Sequence, residues 1–187
     1  MTVCTGTIEI VWEDIMLQHN QPTIQTNILE VRDRVMSWLM QENWRIGQLT
    51  APDAQWLLTA EDPASRKIVI GQKAGTTDQI VIQGGVAVVD PVRNQINGLS
   101  HVERQKFFIE MALQLMQVGV EYGGLEEPIG NITVAQRIYY DGLTKDAFLQ
   151  RVSLVRNAVQ VVLFNIAKRF GQEPPPQDKI GFRTPNP

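Results

Sequence analysis

Residues 100–124 read SHVERQKFFIEMALQLMQVGVEYGG, and the way this stretch folds decides the architecture. Ser100 and Glu103 make a capping box, in which each side chain satisfies a backbone N–H left free at a helix start. The polar residues Glu103, Lys106, Glu110, Gln114, Gln117 and Glu121 then recur at spacings of three and four. They form one narrow stripe on a helix predicted over about Val102–Tyr122, with Gly123-Gly124 as its C-cap. Nearly everything else is apolar or small, including Phe107, Phe108, Ile109, Met111, Leu113, Leu115, Met116 and Val120. A helix packed on one side needs an apolar stripe of about 100° or somewhat more. This one is apolar over most of its circumference, so it requires cover on two sides. A sheet can supply one. Another helix, or a second copy of the chain, must supply the other.

Working outward, Asn131–Tyr140 places Ile132, Val134 and Ile138 on one face and reads as a strand, turned by Asp141-Gly142. Thr144 then caps a long helix over Lys145–Phe170, ended by Gly171. Its Phe148, Val152, Val155, Val159, Val162 and Ile166 step by four and three, a heptad-like seam. On the other side, Asn27 and Glu30 open a helix over Ile28–Gln41 with a stripe of Ile28, Val31, Val35 and Leu39. Short alternating segments follow at Asn43–Leu49, Gln55–Thr59 and Lys67–Gln72, separated by turn residues such as Pro52-Asp53. The runs Gln79–Gln83 and Val86–Val89 flank Gly84-Gly85, which reads as a hairpin; the alternative is one bulged strand crossing the glycines. The organisation expected is an N-terminal extension over 1–26, one α+β domain over 27–171 and a Pro-rich tail over 172–187. Within the extension, Ile8, Ile10 and Trp12 alternate as in a strand that could join the sheet edge.

Composition excludes several classes of function. The net charge is −3, from 17 Lys and Arg against 20 Asp and Glu, which is wrong for a nucleic-acid binder. The single cysteine, Cys4, builds neither a disulfide framework nor a metal site, and His19 and His101 stand apart. No run of about 18 apolar residues or secretory leader is present, so a cytoplasmic chain without a transmembrane segment is expected. Gly71–Thr77 lacks the glycine spacing and the lysine of a phosphate loop. Ser100 and His101 are neighbours at a helix start and point apart, so they are no nucleophile–base pair. No catalytic residue, metal site or cofactor is expected.

The order helix, three strands, glycine-containing segment, apolar helix, strand, long helix resembles the type III secretion chaperone-like fold. It is a two-layer α+β arrangement with an antiparallel sheet packed against helices. The residues carrying the likeness are Asn43-Trp44-Arg45-Ile46, Gly84-Gly85, the Phe107–Val120 helix and the Ile132–Tyr140 strand. More closely, the chain resembles an uncharacterised cyanobacterial family grouped with that fold beside YbjN-type proteins. The resemblance implies a homodimer that binds client polypeptides and catalyses nothing. The expected function is therefore a non-enzymatic chaperone or assembly factor. The alternatives are a small-molecule-binding regulatory module, with Trp44, Arg45 and Trp56 near its pocket, and an enzyme with an unfamiliar site. The protein-interface candidates are Phe107, Phe108, Met111, Leu115, Met116, Trp44 and Trp56.

Overall fold

The structure is a computed structural model that describes residues 28–171. The expected extension over 1–26, with its strand and Cys4, and the tail over 172–187 lie outside the described residues. The elements run α1 (Ile28–Gln41), β1 (Arg45–Leu49), β2 (Ala54–Glu61), β3 (Lys67–Lys73), β4 (Gln79–Ala87), α2 (Asp90–Gly98), α3 (His101–Val118), β5 (Glu121–Gly123), β6 (Asn131–Tyr139) and α4 (Lys145–Phe170). The strands form one antiparallel sheet in the order β1-β2-β3-β4-β6-β5. The result is an α+β two-layer fold.

The alternation seen in the sequence sets the layers. Leu58, Ile70, Ile82 and Gln136 lie in one cross-strand row, and each is buried. On the same face Ile80, Val86, Ile132, Val134 and Ile138 complete the sheet's half of the core. α4 lies against this face with its whole seam buried, from Phe148 to Ile166. Its Thr144 cap accepts the Ala147 N–H at 3.2 Å, as the sequence requires. α1 adds Val31, Val35 and Leu39, all fully buried, and sets Trp38 against Phe148 with ring centroids 5.8 Å apart.

Three points either differ from what the sequence led one to expect or were left unread in it. Gly84-Gly85 does not turn a hairpin: β4 runs straight through both glycines, in unbroken register with β6 from Gln79↔Tyr139 to Ala87↔Asn131. The alternative of one strand crossing the glycines holds, with no bulge against β6. The reason for glycine here is packing. A Cβ on Gly84 would sit 2.6 Å from Val159 Cγ2 and 3.1 Å from Val155 Cγ1, so its absence lets α4 approach the sheet. Second, the apolar helix stops at Val118, with Gly119 as a left-handed cap donating to Leu115 O and Met116 O. Gly123-Gly124 is therefore no helix cap. Gly123 ends β5, and Gly124 has φ +80°, with the Asn131 carbonyl where a side chain would go. Third, Asp90–Gly98 is a helix that periodicity did not reveal. It buries only Val92 and Ile96, too short a stripe to stand out, although Pro91 at its start is a fitting signal.

Candidate functional site

α3 begins at the expected capping box: Ser100 Oγ accepts the Glu103 N–H, and the Glu103 carboxylate accepts the Ser100 N–H. The Ser100 hydroxyl also donates to Glu103 Oε2 at 2.7 Å, and this hydrogen bond, followed by that from the Ser100 N–H, holds the Glu103 carboxyl below its usual value. The same end is tied to the loop before β6 by Arg104 Nε, 2.6 Å from Glu127 Oε1.

The structure divides the interface candidates. Phe107, Phe108, Met111 and Leu115 are buried, facing the interior. Phe107 meets Phe170 of α4 edge-on at 5.4 Å, and Gln114 accepts from Asn165 at 2.8 Å, so α3 packs on α4 rather than flat on the sheet. Trp44 and Trp56 are also buried, as core anchors. Trp44 sits just before β1 rather than in it, and Trp56 donates its indole N–H to Gln72 at 3.1 Å. Met116 alone of the seven is exposed.

Met116 does not stand alone. Val102, Ile109, Leu113 and Met116 of α3 are 74%, 59%, 53% and 61% exposed. Their spacings of seven, four and three put them on one helical face. All four lie on the helix the sequence marks as apolar, but of the α3 interface candidates only Met116 belongs to this row and the rest are the inward set. The signal that finds this row is the seven-residue repeat of Val102, Ile109 and Met116 beside the charged pair Lys106 and Glu110. Phe164 of α4, 63% exposed, is next to Asn165, which reaches Gln114. Single exposed apolar residues are ordinary, but a contiguous set marks a contact surface.

A second feature is polar. Asp62, 2% exposed, sits in the turn after β2. Oδ1 accepts the Ala64 and Arg66 backbone N–H groups, each at 2.9 Å, and Oδ2 takes Arg66 Nε at 2.7 Å and Arg156 Nη2 at 2.9 Å. Arg156 also lies over the Trp44 ring, 5.5 Å from its centroid. A cavity of about 410 Å³ opens here, lined by Trp44, Arg66, Val152, Ser153 and Arg156 among others. Arg45, expected near such a mouth, does not line it and instead pairs with Glu61.

A third cluster is structural. Buried Gln72 accepts from Trp56 and from the Tyr140 hydroxyl, and donates to Thr76 O at 2.7 Å. Burial pushes the Tyr140 phenol up, against the Gln72 hydrogen bond. Among the described residues no group of three or more His, Cys, Asp or Glu is placed to hold a metal ion. No described helix is long and apolar enough to cross a membrane.

A helix-covered antiparallel sheet with an apolar stripe left bare defines the class: a two-layer α+β domain. The model of the family described as "Uncharacterized conserved protein (DUF2299)" matches residues 31–166, and the chain belongs to that family. Among solved structures, an uncharacterized protein from Methanothermobacter thermautotrophicus is similar, with TM-score 0.68 and 26% identity. The match covers 75% of this chain and 99% of that one. No curated protein matches. Neither likeness supports a relation to YbjN-type or cyanobacterial proteins.

Proposed function

We propose that this protein is a non-enzymatic chaperone or assembly factor of the cytoplasm that binds protein surfaces and works as a symmetric homodimer joined through α3. The observation that carries this reading is the bare stripe of Val102, Ile109, Leu113 and Met116. An antiparallel pairing about a two-fold axis at Ile109 sets Ile109 on its own copy and Val102 on the partner's Met116. It also brings Lys106 close to the partner's Glu110, and a two-fold axis repeats each such contact. Both side chains are exposed and 3.9 Å apart on one helix, within reach of an opposing pair. The likeness of element order to chaperone-type folds supports the same reading by analogy.

Light scattering coupled to size exclusion tests the dimer: a mass near twice 21.1 kDa is expected. A dilute sample that stays a monodisperse monomer at rising concentration removes it. Affinity purification of the tagged chain from its native cell tests the client. One partner in stoichiometric amount supports an assembly factor, and a bait recovered clean counts against it. The cavity beside Trp44 and Arg156 favours a second reading, a small-molecule-binding regulatory module.

A further inference from the structure

The Asp62 turn carries an imbalance of charge. Both carboxylate oxygens are occupied, yet they face two guanidinium groups. One positive charge is left over at the cavity wall. Glu42, on the same wall, does not cancel it, because it is held 2.9 Å from Lys145 Nζ. Arg156 Nε is buried with no hydrogen-bond partner, and the Nη1 groups of Arg66 and Arg156 have none among the described residues. A partly buried guanidinium is stabilised by pairing, and a carboxylate matches its fork of donors. The rest of the wall is apolar: the Trp44 indole, Pro63, Leu149 and Val152. The volume of about 410 Å³ lies in the range of small-ligand pockets. A cavity of about 480 Å³ on α1 is lined by Asp33, Met36, Ser37, Met40 and Gln41 and offers no cation.

We infer that the Trp44–Arg66–Arg156 cavity binds a carboxylate carried on an apolar body. The carboxylate meets the surplus guanidinium charge, and the body lies along Trp44, Leu149 and Val152. The inference deepens the ligand-binding reading and does not depend on the α3 dimer.

Calorimetric titration of the full chain with acetate, hexanoate, phenylacetate and indole-3-acetate tests it, with phenylacetamide as the neutral control. Saturable binding is expected for the acids with larger bodies, and none for the amide. Ser153→Phe fills the cavity from the exposed face of α4 and leaves the Asp62 clamp intact, so binding is lost with the melting temperature preserved. Arg156→Met weakens binding roughly tenfold or more, the scale of one charge-assisted hydrogen bond. A tripeptide ending in phenylalanine distinguishes the sources. Tenfold tighter binding of its free-acid form than of phenylacetate assigns the site to a polypeptide terminus, and weaker binding assigns it to a free small acid. No saturable binding by any acid, or unchanged binding in Ser153→Phe, overturns the inference. Equal binding of phenylacetamide overturns the carboxylate and leaves the broader ligand-binding reading standing.

Discussion

α4 buries Phe148, Val152, Val155, Ala158, Val159, Val162, Leu163 and Ile166, whereas α3 buries Phe107, Phe108, Met111 and Leu115 and leaves a second apolar row in water. Both helices are apolar over more of their circumference than one-sided packing uses. α4 finds its cover inside the chain: the sheet, which Gly84 lets come close, and contacts with α1, α2 and α3. α3 finds α4 and little else. The same surplus of apolar surface thus acts as core in one helix and as a free face in the other. What decides between them is position in the topology, not composition.

The largest effect expected from that contrast is at Phe148, fully buried on α4 against Trp38. Phe148→Ala should destabilise by about 3–5 kcal/mol, read by urea unfolding. A loss no greater than that of truncating an exposed α3 residue would erase the distinction. Next comes Gly84→Ala, which overpacks the α4–sheet contact and should cost about 1–3 kcal/mol. In a Val159→Ala background the penalty should shrink, because the colliding Cγ2 is gone. A double-mutant cycle with no coupling would show that the glycine serves some other purpose.

Smaller effects test the polar ties at the ends of the layers. Tyr140→Phe removes the hydrogen bond to Gln72 and should lose about 1 kcal/mol at neutral pH. Because burial raises the folded phenol, its contribution is full below the ordinary phenol value of about 10 and is lost as pH rises through the folded value. The alkaline limb of a stability profile should therefore be shallower in Tyr140→Phe. Glu103 works in the opposite sense. Its carboxyl is lowered by the Ser100 hydrogen bonds, so its contribution is present above the ordinary carboxylate range and fades as pH falls through the folded value. Glu103→Gln should flatten that acid limb, and an unchanged limb would mean the capping box is not formed in solution.

Much of the fold was legible in the sequence for a physical reason: where one face is buried, periodicity records it. The helices Ile28–Gln41 and Lys145–Phe170 lie where the periodicity puts them, and β2 alternates as its sequence does, whereas β3 is buried on both faces from Ile68 to Gln72. The misses share a cause as well. Gly84 serves a distant contact with Val155 and Val159, which no local pattern carries. Gly119 ends a helix inside an apolar run, so composition hid the stop. The outward row on α3 was visible as apolar sequence, but which apolar residues face inward depends on where α4 lies. The Asp62 clamp joins residues far apart in the chain, Asp62 and Arg156, and only the fold brings them together.

The smallest expected change in folding is also the most informative about α3. Ile109 is 59% exposed, so Ile109→Ser should alter the monomer's unfolding free energy by no more than about 0.5 kcal/mol. The measurement belongs at low protein concentration, since association adds its own stability by mass action. At high concentration the same substitution should abolish the dimer, because it places two hydroxyls at the proposed two-fold axis, where two isoleucines would have met. A dimer that survives Ile109→Ser together with Leu113→Ser uses another face, and the bare row on α3 then awaits a different partner. Destabilisation of the dilute monomer by several kcal/mol would instead mean that α3 is covered within the chain, and the contrast with α4 would vanish.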